Sequence, residues 1–269
     1  MIIDKIYAIY FSPTGTTEKA AIAVTDSTGI PYEKIDLTTR HARHDFKHTF
    51  KKSELAIVGL PVYGGRLPGK LDNFFTGLHG NSSPAIALVV YGNRAYEDAL
   101  IELKVRLEER GFTVIAGAAF IGEHTFSKKI AGGRPDAADI IIAKNLGKKA
   151  VKNMDKLMQG TLHVKGDYPY LKEGFNSRKP FGPLATFTNI VTTEDCTRCG
   201  LCAEECPWEA IDSEDYATID YTKCMRCFRC IRVCPAEAKK NISEKFDEAL
   251  PVFEKMVSAR KEPELFLAE

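Results

Sequence analysis

Over the first 158 residues, short apolar runs alternate with stretches in which apolar residues recur every three or four positions. The runs 3-IDKIYAIYF-11, 31-PYEKIDL-37, 54-ELAIVGL-60, 84-PAIALVVY-91 and 112-FTVIAGAAFIG-122 predict five strands, the second of them weak. The intervening stretches predict helices near 15–26, 68–79, 95–110 and 135–158. Tyr96, Leu100, Leu103 and Leu107 share one helical face, and Gly111 stands where a left-handed residue would end that helix. Strands alternating with helices predict an α/β fold in which helices cover both faces of a parallel sheet. Such doubly wound sheets bind ligands beyond the carboxyl ends of their strands, where the strand order reverses.

The pattern changes after residue 158. Residues 159–189 are rich in glycine and proline with little periodicity, and read as a linker whose aromatic residues pack it along a surface. Residues 190–240 form a small unit marked by cysteines. The tail, 241–269, places Phe246, Leu250, Phe253 and Val257 at helical spacing, which predicts a helix docked on the body, kinked or split at Pro251. Its apolar face reads as core or dimer contact, so a homodimer stays open.

Composition narrows the function classes. With 44% hydrophobic and 27% charged residues, the chain of 269 is that of a soluble globular protein. The 37 basic and 36 acidic side chains nearly cancel, so nothing calls for nucleic acid or an anionic membrane. No apolar run approaches the length of a membrane span, and Asp4, Lys5 and the early Pro13 and Gly15 read poorly as a signal peptide. A cytoplasmic chain is expected, in which clustered cysteines are metal ligands or catalysts more often than disulfides.

All eight cysteines fall in 194-EDCTRCGLCAEECP-207 and 222-TKCMRCFRCIRVCP-235. Both segments match C-x2-C-x2-C-x3-C-P, a run that holds a pair of 4Fe-4S clusters: three thiolates wrap one cluster and the fourth ligates the other. That assigns Cys196, Cys199, Cys202 and Cys234 to one cluster and Cys206, Cys224, Cys227 and Cys230 to a second. Zinc sites take two separated C-x2-C pairs or Cys/His mixtures, and do not need four cysteines and a proline in each copy. Residues 190 to 236 resemble a bacterial two-cluster ferredoxin module, which implies electron transfer.

Three loops follow strands of the predicted sheet at its carboxyl end. The first, 12-SPTGTTE-18, is a hydroxyl-rich turn opening a helix, an arrangement that binds phosphate. It is neither a Walker loop nor a dinucleotide fingerprint, so a monophosphate is expected. The second, 61-PVYGGRLPG-69, and the third, 91-YGNRAYED-98, set aromatic residues beside glycines, which suits a flat ring stacked on an aromatic with backbone amides at its polar edge. Tyr63 is the expected stacking partner, with Tyr96 or Tyr91 opposite. With Ser12, Thr14, Gly15 and Thr17 in the S-x-T-G-x-T pattern, residues 1–158 resemble a flavodoxin. The resemblance implies a flavodoxin-like five-stranded sheet of order 2-1-3-4-5 and FMN bound by Ser12, Thr14, Gly15, Thr16, Thr17, Pro61, Val62, Tyr63, Gly64, Gly65, Arg66, Tyr91, Gly92, Asn93 and Tyr96. Flavodoxins usually present a Trp where Tyr63 stands and are acidic around the ring, whereas Arg66 and Arg94 stand here and would stabilise an anionic reduced flavin.

The loop 122-GEHTFSKKIAGGRPDAAD-139 carries His124, a candidate proton donor, and a helix start at Arg134-Pro135-Asp136. His41, His44 and His48 would share a helical face, but the segment lacks an apolar stripe and reads as a solvated basic connection. Together the parts resemble a flavodoxin–ferredoxin fusion, with a small α+β two-cluster module and a C-terminal helix after the sheet. Three functions follow in order: an electron-transfer protein passing electrons between two clusters and FMN and on to an unidentified acceptor, a redox protein or a small molecule; an FMN-dependent reductase of a small organic substrate, an iron–sulfur flavin oxidoreductase; and a ferredoxin with a flavin-free scaffold.

Overall fold

The computed structural model describes residues 1–169 and 183–269. Five strands run parallel: β1 (Lys5–Tyr10), β2 (Tyr32–Asp36), β3 (Glu54–Pro61), β4 (Pro84–Tyr91) and β5 (Thr113–Ile121). Their order is β2-β1-β3-β4-β5, the doubly wound, flavodoxin-like arrangement expected. Every residue of β3 and β4 is buried, as the unbroken apolar runs of a sheet covered on both faces require.

The covering helices are α1 (Thr16–Asp26), α2 (Ala99–Glu109) and α3 (Ala137–Lys152). α2 ends as expected, with Gly111 at φ 83° in the left-handed region that glycine adopts freely. α3 starts one residue after Asp136, whose side chain accepts from the Ala138 and Asp139 N–H groups in a capping box. The helix expected over 68–79 is only Asp72–Thr76, because 78–79 pairs instead with 48–49 as a two-residue parallel ladder. Of the described linker residues, 161–169 run along the start of α2 and over β5: Asp167 N–H donates to Asp98 (3.0 Å) and Val164 packs on Gly117.

The small unit is closed by the antiparallel strands β6 (Ile190–Thr192) and β7 (Lys239–Asn241). Its two cysteine segments share a conformation: Arg198 and Arg226, Gly200 and Phe228, and Glu209 and Glu237 are matching positions, and all six have positive φ. Where the first copy has Gly200, the second holds Phe228 at φ 59°, a strained choice for an aromatic. Its ring gains burial against Phe126 and Phe246, 4.9 and 6.0 Å away, joining the unit to the sheet domain and the tail.

The tail differs from expectation in two ways. Its helix α4 (Glu244–Met256) runs unbroken through Pro251. Beyond it, β8 (Glu264–Leu267) pairs antiparallel with β5, so the sheet has six strands and its β5 edge is covered. No helix among the described residues is long and apolar enough to cross a membrane.

Candidate functional site

The loops after β1, β3, β4 and β5 meet at the carboxyl end of the sheet and wall a cavity of about 550 Å3. The first contributes Ser12, Thr14, Thr16 and Thr17. Gly15 takes φ 82° at the start of α1, Ser12 Oγ accepts the Glu18 N–H (3.0 Å), and the Ser12 N–H donates to Thr38 Oγ1 (2.8 Å). The N–H groups of Thr14, Thr16 and Thr17 meet no acceptor among the described residues. The positive end of α1 therefore faces the cavity with free donors, which fits a phosphate.

From the second loop come Pro61, Val62, Tyr63 and Gly64; Tyr63 and Arg66 exchange backbone hydrogen bonds of 2.9 and 3.2 Å that close the turn. Burial holds the Tyr63 phenol well above its usual range, with the sulfur of Cys227 adding to the effect. The third loop contributes Tyr91, Gly92 and Arg94. A Cβ on Gly92 would stand 2.3 Å from Cδ2 of His124, so glycine permits the third and fourth loops to touch.

Besides Gly15, which shapes the first loop without lining the cavity, four of the expected cofactor residues do not reach it. Gly65 lies beneath the Glu97 side chain. Arg66 turns away to Glu102 (2.7 Å), in the first turn of α2, so it is not beside a ring. Asn93 is buried and donates to the carbonyls of Val257 and Ala259 (2.6 and 2.9 Å). Tyr96 donates to Glu264 (3.1 Å) at the base of β8, leaving Tyr91 as the other tyrosine that lines the cavity with Tyr63. All four serve the loops and the docked tail, because polar groups at strand ends find backbone partners once the tail packs there.

His124, in the fourth loop, lines the cavity. Burial lowers its pKa to about 4, with Arg232 and Arg94 adding to the shift, so the ring is neutral at physiological pH. At that pH the ring is a hydrogen-bond donor rather than an imidazolium acid. Between its ordinary value of 6.5 and about 4, the unfolded chain binds a proton that the folded chain refuses, so stability falls as pH drops through that window. Urea unfolding across it is expected to show this slope in the wild type and a flatter one in His124→Gln; equal slopes would contradict it.

Other walls were not read from the sequence. Met225, Arg226 and Cys227 reach the cavity from the cysteine unit, and Ala249, Val252, Phe253 and Met256 from α4. The helical spacing of the tail residues was legible, but the face that meets the cavity is offset from the Phe246–Leu250 face that packs on the cysteine unit.

The cysteines surround two small cavities. Cys206, Cys224, Cys227 and Cys230 line one; Cys196, Cys199, Cys202 and Cys234 line the other. Backbone N–H groups of Ala210, Arg226 and Ala238 approach the sulfurs of Cys206, Cys224 and Cys234 at 3.3, 3.4 and 3.2 Å. The indole N–H of Trp208 is buried without a partner, and this residue lines the first cavity. Four thiols per cavity and donors left over for sulfide fit a 4Fe-4S cluster in each. Burial pushes the Cys227 and Cys230 thiols up to about 12; binding as thiolates depends on the charge of the iron. Among the described residues no three His, Cys, Asp or Glu side chains converge as on a single ion; His41, His44 and His48 face Asp45, Asn73 and Glu54 separately.

Hydrogen bonds tie the two units at the cavity. Arg229 joins Glu205 (2.8 Å) to the Pro13 carbonyl of the first loop. Arg232 binds Glu123 (2.8 Å) and the His124 carbonyl (3.1 Å), and Thr125 Oγ1 donates to the Cys227 carbonyl (2.5 Å). The buried Arg43 donates to Leu37 and Thr38 carbonyls (2.7 and 2.8 Å) and to that of Pro207, while Trp208 packs on its guanidinium (4.3 Å) and on Phe11 (5.5 Å).

The family model of the 4Fe-4S dicluster domain matches residues 188–235. No curated protein matches the chain. Among solved structures, a flavodoxin from the domain Archaea is 16% identical over 56% of this chain and 99% of its own, with a TM-score of 0.40. Flavodoxin 1 from Bacillus cereus is 19% identical over 55% and 97%, with a TM-score of 0.39. The rubredoxin oxygen:oxidoreductase of Desulfovibrio gigas is 16% identical over 58% of this chain but 37% of its own, with a TM-score of 0.43.

Proposed function

From a chain that joins a flavodoxin-like sheet to a 4Fe-4S dicluster domain, we propose an electron path that ends on FMN in the cavity at the sheet's carboxyl end. The single observation that carries it is shared lining: Cys227 stands in both the 550 Å3 cavity and the cavity of its own quartet. Clusters exchange single electrons and FMN takes up two, so the pairing links one-electron to two-electron chemistry. The chain's residues set the route. Tyr63, beside Cys227, forms the wall between the quartet and the ring site. The free N–H groups of Thr14, Thr16 and Thr17 hold the phosphate. Cys199, exposed, marks the other quartet as the side reached by an external redox partner.

The second reading, a reductase of a small molecule, is favoured by one observation: α4 roofs one end of the cavity with Phe253 and sets the exposed Val252 and Met256 at its rim, an apolar site suited to an organic ring. Cofactor analysis of anaerobically purified protein tests the path. One FMN with about eight irons and about eight acid-labile sulfides per chain is expected. Iron without flavin, and no uptake of added FMN, would overturn it.

A further inference from the structure

The roofed end of the cavity differs chemically from the phosphate end. Phe126, Phe187, Val252, Phe253 and Met256 make it apolar. The roof is pinned: besides the Asn93 hydrogen bonds, Ser127 donates to Glu254 (2.5 Å) and Arg260 pairs with Asp136 (2.8 Å). Every charged side chain at the cavity is engaged, Arg94 by Glu97 (2.8 Å), Glu123 by Arg232 (2.8 Å) and Arg226 over the Tyr221 ring (5.4 Å). These contacts offset the charges at this end, so a neutral ligand fits it without adding an uncompensated charge.

At this end the His124 imidazole offers a directed donor. His124 Nδ1 accepts the Phe126 N–H (3.1 Å), which puts the proton of the neutral ring on Nε2. Nε2–H has no acceptor among the described residues, and the ring lies between Phe126 and Phe253, 5.1 and 5.2 Å away. A directed donor set between aromatic rings selects a ligand that brings an acceptor atom to it, since leaving that donor unpaired is costly. We propose that this end of the cavity binds a neutral, flat, conjugated carbonyl compound, its oxygen on His124 Nε2–H and its plane against Phe253 and Phe126. The site rests on the FMN reading, because the flavin occupies the sheet side of the same cavity.

The test is calorimetric titration of oxidised holoprotein, its flavin and iron content recorded, with 2-methyl-1,4-naphthoquinone and with 2-methylnaphthalene, which shares the frame but lacks the carbonyls. One quinone per chain, bound at least about tenfold more tightly than the hydrocarbon, is expected. His124→Phe removes that preference, His124→Gln keeps part of it through its amide donor, and Val252→Trp, at a position 71% exposed, weakens both ligands. A flavin-loaded protein that binds the two alike, or whose preference survives His124→Phe, overturns the inference alone. A protein that takes up no flavin overturns the reading beneath it.

Discussion

Replacing Cys227 with serine leaves the flavin bound and slows its reduction through the clusters by about two orders of magnitude or more. Cys227 is the quartet member shared with the large cavity, so its loss removes the cluster nearest the ring while the phosphate loop, Tyr91 and Gly92 stay in place. Iron is expected to fall from about eight toward about four per chain, with flavin unchanged. Cys199→Ser gives the contrast: the quartet beside the flavin stays whole, and only uptake from an external donor slows. Equal flavin reduction in Cys227→Ser and wild type, measured by anaerobic rapid mixing, would show that the flavin is reached by another route.

Trp208→Ala is the second large effect. The indole packs on Phe11 at 5.5 Å and on the Arg43 guanidinium at 4.3 Å, and it lines the quartet cavity from the side facing the sheet. Truncating a fully buried tryptophan costs about 3–5 kcal/mol, and the partly buried Trp208 loses a share of that on the contact between the two units. Urea unfolding is expected to split into two transitions, the cysteine unit first, with slower electron transfer in the folded protein. Trp208→Phe keeps the ring and removes only the N–H; it should preserve a single transition and lower the potential of the nearby cluster, for want of a donor to sulfide. A single wild-type transition in Trp208→Ala would mean that the units are held by Arg43, Arg229 and Arg232 without the indole.

Much of this was legible because the signals were local. The strand runs at 54–60 and 84–91 are apolar throughout, since both faces of β3 and β4 are covered, and the cysteine spacing is nearly sufficient to name its own quartets. The loops after β1, β3 and β4 were placed correctly for the same reason: each is fixed by the strand before it. What failed was long-range. Arg66, Asn93 and Tyr96 sit in the right loops, but their directions are decided by Glu102, Val257 and Glu264, and sequence spacing carries no sign of those partners. β8 is only four residues long and borrows its hydrogen bonds from β5, so its own pattern is too short to predict a strand. The same holds for α4. Its amphipathic spacing predicted docking, but a helix gives no hint that one face meets the cysteine unit and another a ligand cavity. Phe228 is the clearest local conflict: its left-handed backbone favours glycine, and only the aromatic cluster with Phe126 and Phe246 explains the residue that stands there.

Electron transfer between clusters and flavin inside one chain has a kinetic signature of its own. Flash reduction by a deazaflavin radical, held well below one electron per chain, puts an electron onto the protein faster than molecules meet. A first-order change in flavin absorbance is expected, at a rate that does not vary with protein concentration, and it is lost in Cys227→Ser. A rate that grows in proportion to protein concentration would contradict it, because the electron would then be passing between molecules.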